Sequence, residues 1–465
     1  MIKFGTDGWR SLMSEDFNVE NIERVAQAIA VYLNESGYGE KGIVIGYDTR
    51  NNSETFAKTC AKVMIANGIK VYLPKRALPT PITAYSITKY GLGGAIMITA
   101  SHNPAQYNGI KFIPYYAGPA TEDITKSIEK HLKESDEVKS GDLAGPLLNE
   151  IEPIDDYKED LRKVVNVELL KETGLKVLAN PMFGAAYGIF ADILEEFGCE
   201  VEEIDGHSDP EFGGLTPEPI PRNMASTIEK LKTEDFDVVL AVDGDADRFG
   251  VFDSNATFIM ANHALALIAD YLVTVKKLKG SLVRSVATTH FLDNIAETNG
   301  LKAVETPVGF KHIGQIMRDE PVVLGGEESA GLSILNHIPE KDGILAGLLL
   351  GEITAYYGKP LGQVLEDLFD KYDKRYYAKR LDLELEPEQK EGLMNSLKQT
   401  PPDNMDGLAV REAIDIDGMK FILEEGSWLL ARPSGTEPVI RIYLEADSAE
   451  KLQRLEVFAK SLIDS

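Results

Sequence analysis

Apolar and polar positions along this chain fall into a rhythm: a short aliphatic run, a polar loop, an amphipathic stretch, a glycine and a second apolar run. Short apolar runs alternating with helical periodicity predict buried strands joined by helices, and so mixed or parallel sheets covered on both faces. In the first copy Ile43-Val44-Ile45 leads into Asp48-Thr49-Arg50, and a helix with Ser53 as its expected cap stops near Gly68. Ile69 to Leu73 is the next strand, and Ala95-Ile96-Met97-Ile98 runs into Thr99-Ala100-Ser101-His102-Asn103-Pro104. A second copy starts at Lys176-Val177-Leu178, passes Gly198 to Val201 and ends with Val238 to Val242 feeding Asp243-Gly244-Asp245-Ala246-Asp247-Arg248. The third starts at Leu282-Val283, passes Gly300 to Val304 and ends with Val322-Val323-Leu324 feeding Gly325-Gly326-Glu327-Glu328-Ser329-Ala330-Gly331. Each copy delivers a polar loop from the end of a strand, where open α/β sheets place ligands. Packed around a common cleft, such loops would converge.

The pattern changes beyond Asp370. The charged stretch Asp370 to Glu386 reads as a connector, followed by short strands around Arg411 to Leu430 and Val439 to Leu444 and an amphipathic helix from Ser448 to Leu462. This last piece is α+β. Its loop Arg432-Pro433-Ser434-Gly435-Thr436-Glu437-Pro438 combines a guanidinium, hydroxyls and a glycine-freed backbone, which suits phosphate oxygens; a plain surface turn is the alternative.

At 465 residues the chain is too long for one core. Its formal charge of −27 argues against nucleic-acid partners and anionic membranes, so an anionic substrate needs a local basic pocket. Cys60 and Cys199 have neither metal-ligand spacing nor a disulfide framework, which fits a reducing cytoplasm. The N-terminus lacks a signal-peptide apolar core, and Ile344 to Leu350 is too short to span a bilayer, so a soluble cytoplasmic protein is expected.

Asp243, Asp245 and Asp247 carry the strongest chemical signal. Alternation in an extended segment would point all three the same way, and at ~5 Å and an effective dielectric of ~20 each pair repels by about 3 kcal/mol. A hard divalent ion held by oxygen relieves that repulsion. An EF-hand loop is not matched, since its glycine and bidentate glutamate positions hold Arg248 and Ser254. A solvated acidic turn is the other reading. Ser101 follows an apolar strand and precedes Pro104, in a tight loop with His102 beside it and Lys111 beyond Asn108-Gly109. An ordinary loop serine remains open, but a hydrolase triad is disfavoured because no Gly-x-Ser-x-Gly elbow surrounds it.

Four segments in order, Thr99 to Pro104, Asp243 to Arg248, Gly326-Glu327-Glu328-Ser329 and Arg432 to Thr436, make the whole chain resemble the α-D-phosphohexomutase superfamily, the bacterial phosphoglucomutases and phosphomannomutases. The resemblance implies three similar α/β domains with mixed sheets plus a C-terminal α+β domain around a central cleft, with expected spans 1–145, 146–255, 256–370 and 371–465. It implies that Ser101 is the phosphoserine, that Asp243, Asp245 and Asp247 bind Mg²⁺ with the phosphoserine oxygen, and that Glu327 and Ser329 grip sugar hydroxyls. Arg432, Ser434, Gly435 and Thr436 match the loop for the non-reacting phosphate, while Arg10 and Lys111 match basic residues near the reacting one. The implied reaction moves a phosphoryl group between a hexose 1-phosphate and a hexose 6-phosphate through a hexose 1,6-bisphosphate. His102, Lys111, Arg248 and Lys341 join Ser101 as expected catalytic residues.

The match departs at one place. Where many phosphomannomutase-type members carry a histidine assigned as general base, this chain has Gly331; animal-type phosphoglucomutases also lack it and offer a lysine in Glu-Lys-Asp-Gly, found here at Glu340-Lys341-Asp342-Gly343. Thr306-Pro307-Val308-Gly309-Phe310-Lys311 resembles the loop that senses sugar identity in glucose-preferring members, with Gly309 and Lys311 as substrate contacts. Glu328 stands where a phosphoglucosamine mutase usually has glutamine. Glucose phosphate is therefore the expected substrate, with a phosphomannomutase or dual-specificity enzyme next, then a phosphoglucosamine mutase, a metal-dependent phosphatase or a non-catalytic phosphosugar binder. Arg50 and Arg284 read as cleft cations or as ion pairs, and Arg441 as scaffold.

Overall fold

The computed structural model describes residues 2–4, 8–134, 137–434 and 439–462. Four sheets follow one another along the chain. The first has the strand order Trp9–Leu12, Tyr107–Pro114, Gly94–Ile98, Ile43–Tyr47, Val71–Pro74, Leu148–Ile151, so its last strand lies beyond residue 145. Ile43–Tyr47 and Gly94–Ile98 run parallel and are buried along their whole length, as their unbroken apolar sequences require. The second sheet is ordered Phe249–Asp253, Val238–Val242, Lys176–Asn180, Glu200–Glu203, and the third Ala303–Thr306, Ser281–Ser285, Val322–Glu327, Gly331–Ile334.

One device recurs in all three. The strand that carries a motif is followed by an antiparallel return strand: Gly94–Ile98 by Tyr107–Pro114, Val238–Val242 by Phe249–Asp253, Val322–Glu327 by Gly331–Ile334. Each polar motif thus occupies a hairpin connection at the C-terminal edge of parallel strands. Two rigid strands anchor it.

The fourth sheet is antiparallel, ordered Tyr377–Glu384, Val439–Ala446, Trp428–Pro433, Met419–Leu423, Leu408–Asp415, Asn404–Met405. The expected connector Asp370 to Glu386 therefore contains an edge strand. Its charged residues Lys379, Arg380, Asp382 and Glu384, all exposed, are what an unpaired edge tolerates, and they hide the period-two pattern. Ser53 is likewise not a cap: the helix Ser53–Ala66 is preceded by Asn52 in a left-handed conformation, and Ser53 Oγ donates to Asp48 Oδ1 instead.

The largest apolar cluster is continuous through the first three sheets. Helix Gly343–Tyr357, apolar on every face apart from the buried, ion-paired Glu352, lies against the second sheet, with Gly347 giving room to Phe190 and Leu240. Among the described residues no helix is long and apolar enough to cross a membrane. The last domain docks on the third through buried charge. Lys420 Nζ donates to Val286 O at 2.8 Å and Glu305 Oε2 at 2.7 Å, and burial lowers its pKa to about 8.

Candidate active site

Between Val242 and Phe249 the chain turns tightly, with Ala246 at a φ of 60°. The three aspartates converge through this turn rather than through the extended alternation expected from their spacing. All are buried, which removes the solvated-turn reading, and ligand oxygens from the three lie within 4.8 Å of one another. Thr80, opening helix Thr80–Tyr90, fixes Asp245 twice, its N–H to the carbonyl at 2.9 Å and its Oγ1 to Oδ2 at 2.7 Å. Asp243 Oδ1 accepts from the Arg248 N–H at 3.1 Å. Burial first, then Asp245 and Asp247, hold the Asp243 carboxyl well above the usual carboxylate range. Asp245 Oδ1 is buried with no hydrogen-bond partner among the described residues, so the donor set fits a hard divalent cation.

Ser101 faces this cluster. Its Oγ donates to Asp243 Oδ2 at 2.7 Å, its N–H donates to Thr99 Oγ1 at 2.9 Å, and His102 Nδ1 lies 3.3 Å from Oγ. Burial, then the charges of Arg248 and Arg10, push the His102 imidazole well below its usual range. Ser101 has a φ of 52°, a left-handed conformation costing about 1 kcal/mol or more for a residue with a side chain. A Cβ at Gly244 would stand 2.7 Å from the Ser101 carbonyl, so glycine there is what lets the aspartate turn touch the serine loop.

Cations close the group. Lys111 Nζ donates to Asp245 Oδ2 and Asp247 Oδ2, both at 2.9 Å, and Lys341 Nζ to Asp247 Oδ2 at 2.7 Å. Arg248 Nε lies 3.8 Å from Asp247 Oδ1, and Arg10 Nη1 donates to Asn103 Oδ1 at 2.8 Å. Lys341 is buried beside Asp342, the cap of helix Gly343–Tyr357, and is no solvated turn residue.

The third loop holds Glu327, buried, with Oε1 accepting from the Gly309 N–H at 2.8 Å. Gly309 has a φ of 121°, open only to glycine, so the two expected sugar contacts meet through backbone. Burial first and Glu328 second raise Glu327 to about 7. Ser329 is half-buried in the adjoining turn, and Lys311 lies in the first turn of helix Phe310–Asp319. In the fourth domain Arg432 Nε donates to Asp417 Oδ2 at 2.8 Å, and the same oxygen accepts from the Val308 N–H at 3.1 Å. Asp417 thus ties Arg432 to the 306–311 loop across the domain boundary. Ser434 is buried, while Gly435 and Thr436 lie outside the described residues.

The chain matches, in order, the four family models for phosphoglucomutase/phosphomannomutase: alpha/beta/alpha domain I over residues 1–139, domain II over 155–256, domain III over 260–372 and the C-terminal domain over 392–460. It is 32% identical to a phosphoglucomutase of Komagataeibacter xylinus, over 100% of this chain and 91% of that one. This chain belongs to the phosphoglucomutase/phosphomannomutase family. The phosphohexomutases to which it belongs are isomerases, and they do not share one sugar: a Methanothermobacter thermautotrophicus relative named "Probable phosphoglucosamine mutase" is 30% identical over 99% of this chain and 98% of its own. The crystal structure of Paramecium pp63/parafusin, a phosphoglucomutase, in its open form gives a TM-score of 0.83 at 25% identity, over 99% of this chain and 94% of that one.

Against this family background, the space at Gly331 is informative. A Cβ there would lie 2.5 Å from Lys341 Cδ and 2.8 Å from Cγ, so the lysine stem fills the volume that a larger residue would need. Arg284 is an ion pair rather than a cleft cation, donating to Asp293 Oδ1 at 2.8 Å and Glu305 Oε2 at 2.5 Å. Thr80 and Asp417 were not foreseen. Neither carries a local signal, because each acts through a partner distant in sequence.

Proposed function

We propose that this phosphohexomutase interconverts glucose 1-phosphate and glucose 6-phosphate, with phospho-Ser101 as phosphoryl carrier. The observation that carries the reading is the 2.7 Å bond from Ser101 Oγ to an aspartate cluster flanked by Lys111, Arg248 and Lys341. Asp243, Asp245, Asp247 and the Ser101 oxygen would hold Mg²⁺, which when bound draws negative charge from the transferring phosphoryl oxygens. The chain's own groups do the rest. A sugar hydroxyl attacks the phosphorus of phospho-Ser101, the P–Oγ bond breaks, and the sugar becomes a 1,6-bisphosphate; in the return step its other phosphate passes back to Ser101.

Lys341 exchanges the hydroxyl proton, a role supported by its burial at the cluster and its possession of the Gly331 space. His102 steadies the phosphoryl group beside Ser101, while Lys111, Arg248 and Arg10 hold its equatorial oxygens. Glu327, Ser329, Gly309 and Lys311 contact the sugar, and Arg432, Ser434, Gly435 and Thr436 bind the far phosphate. Glucose is favoured by Glu328 and by a sugar loop whose glycine backbone is bonded to Glu327. A cytoplasmic enzyme without nucleic-acid or membrane partners accords with the charge of −27 and with the free, buried thiols of Cys60 and Cys199.

A ³¹P NMR time course with glucose 1-phosphate, Mg²⁺ and a trace of glucose 1,6-bisphosphate tests the reading, with mannose and glucosamine 1-phosphates alongside. Glucose 6-phosphate formed fastest supports it. A faster amino sugar or mannose rate reassigns the substrate, and inorganic phosphate alone would mean a phosphatase.

A further inference from the structure

Arg50, expected as a cleft cation or an ion pair, forms a buried ion pair with Asp48 and does more than that. Its side chain is fully buried behind the serine loop, and all five of its N–H donors are used. Nε donates to Asp48 Oδ2 at 3.0 Å. Nη1 donates to the carbonyls of Pro104 at 2.7 Å and Tyr107 at 3.1 Å, and Nη2 to those of Ser101 and Asn103, both at 2.6 Å. Three carbonyls of the serine loop and that of Tyr107, where the return strand begins, therefore end on one planar cation.

The cation is itself held. Asp48 Oδ1 accepts from the Arg50 N–H at 3.0 Å and from Ser53 Oγ at 2.7 Å, and Ser53 Oγ accepts from Asn108 Nδ2 at 2.9 Å. From the second domain, the Phe212 ring centroid lies 4.8 Å from the guanidinium carbon. The loop needs such a brace, because Ser101 sits in a left-handed conformation that it would leave if free to relax. Ser101 is 1% exposed, so the same loop shape also keeps solvent from its Oγ.

We propose that Arg50 is a positioning residue for phosphoryl transfer: its saturated guanidinium holds the Ser101 loop in the shape that aims Oγ at the acceptor sugar and keeps water out of line. The proposal rests on the reading of Ser101 as phosphoryl carrier. A loosened loop would let water compete: water oxygen bonds to phosphorus, the P–Oγ bond breaks, Oγ regains a proton and inorganic phosphate leaves. Lysine keeps the charge but has one nitrogen with three donors, and cannot reach four carbonyls.

The test is a partition experiment. Wild type, Arg50→Lys, Ser53→Ala and Ser101→Ala are labelled with ³²P-glucose 1,6-bisphosphate, and isolated phosphoenzyme is mixed with glucose 1-phosphate in excess. The ratio of label in sugar bisphosphate to label in inorganic phosphate is measured for each. That ratio is read per phosphorylated molecule, so fewer folded molecules do not move it. In Arg50→Lys it should fall at least about tenfold, with kcat down about a hundredfold and KM within about threefold. Ser53→Ala, which unhooks Asp48 but keeps Arg50, should shift the ratio the same way by less, and it decides the matter if Arg50→Lys does not fold. A wild-type ratio in the folded variants overturns the role of Arg50, even where kcat falls. Label that persists in Ser101→Ala removes the carrier reading itself, and this proposal with it.

Discussion

Alanine at Gly331 should disable the lysine without unfolding the protein. The added Cβ would stand 2.5 Å from Lys341 Cδ and 2.8 Å from Cγ, and the third nearest atom is Lys341 Cβ at 3.6 Å, so no backbone is among its closest neighbours. The least costly relief is for the lysine stem to change rotamer, which carries Nζ away from Asp247 Oδ2, now 2.7 Å distant. A hydrogen bond between charged groups contributes about 1.5–3 kcal/mol, so an interaction of that size lost from the transition state lowers kcat by about 10–150-fold. Overpacking costs about 1–3 kcal/mol where nothing yields, but a strand glycine replaced by alanine gains up to about 1 kcal/mol from the unfolded chain. The net change in stability should stay within about 2 kcal/mol. Steady-state kinetics by a coupled glucose 6-phosphate assay, with denaturant unfolding on the same preparation, reads both. A folded Gly331→Ala enzyme with kcat within twofold of wild type would refute both the steric argument and the role given to Lys341.

Three further outcomes follow from the same geometry. Ser101→Ala should lose turnover by at least about a thousandfold while binding glucose 6-phosphate in calorimetry with near wild-type affinity, and measurable mutase flux in that variant would remove the covalent route. Asp245→Asn should raise the Mg²⁺ concentration for half-maximal rate about tenfold or more, because the oxygen with no described partner loses its charge; an unchanged metal titration would reject the site. For Glu327 the folded pKa of about 7 lies above the ordinary 4.5, so the folded state binds the proton more tightly and stability falls as pH rises through that window, then levels off. Glu327→Gln lacks this loss, and its stability advantage should be near zero at pH 4 and on the order of 3 kcal/mol at pH 8, read as denaturant midpoints; a pH-independent difference would show that burial does not perturb this carboxyl.

The elements that were legible in the sequence are those whose signal is local. Val238 to Val242 followed by three spaced aspartates needs only an apolar run and a charge pattern, and Ser101 needs only a strand end and a following proline. What escaped acts at a distance. Arg50 resembles any arginine after a strand, because backbone carbonyls of residues more than fifty positions away leave no side-chain signature. Tyr377–Glu384 was hidden by edge-strand polarity, and Ser53 by the competing pull of Asp48 on its hydroxyl. The convergence of the aspartates was foreseen for the wrong geometric reason. A turn with Ala246 in the left-handed region, not extended alternation, brings the oxygens together.

The far-phosphate role proposed for the fourth domain has an electrostatic rationale. A chain of charge −27 repels sugar phosphates at long range, but at physiological salt that field is screened beyond about 8 Å, so local cations decide binding. Around Ser101, Lys111, Lys341, Arg248 and Arg10 face three aspartates, which leaves little net positive charge for a second phosphate. On the proposed function, a sugar with a phosphate at each end needs a second anion site on another domain, and Arg432, held by its ion pair with Asp417, which also accepts from the Val308 N–H, would contribute to it. On that reading the far phosphate would be gripped and released on a different domain from the strained serine loop. One site would then accept the two ends of the same sugar in turn.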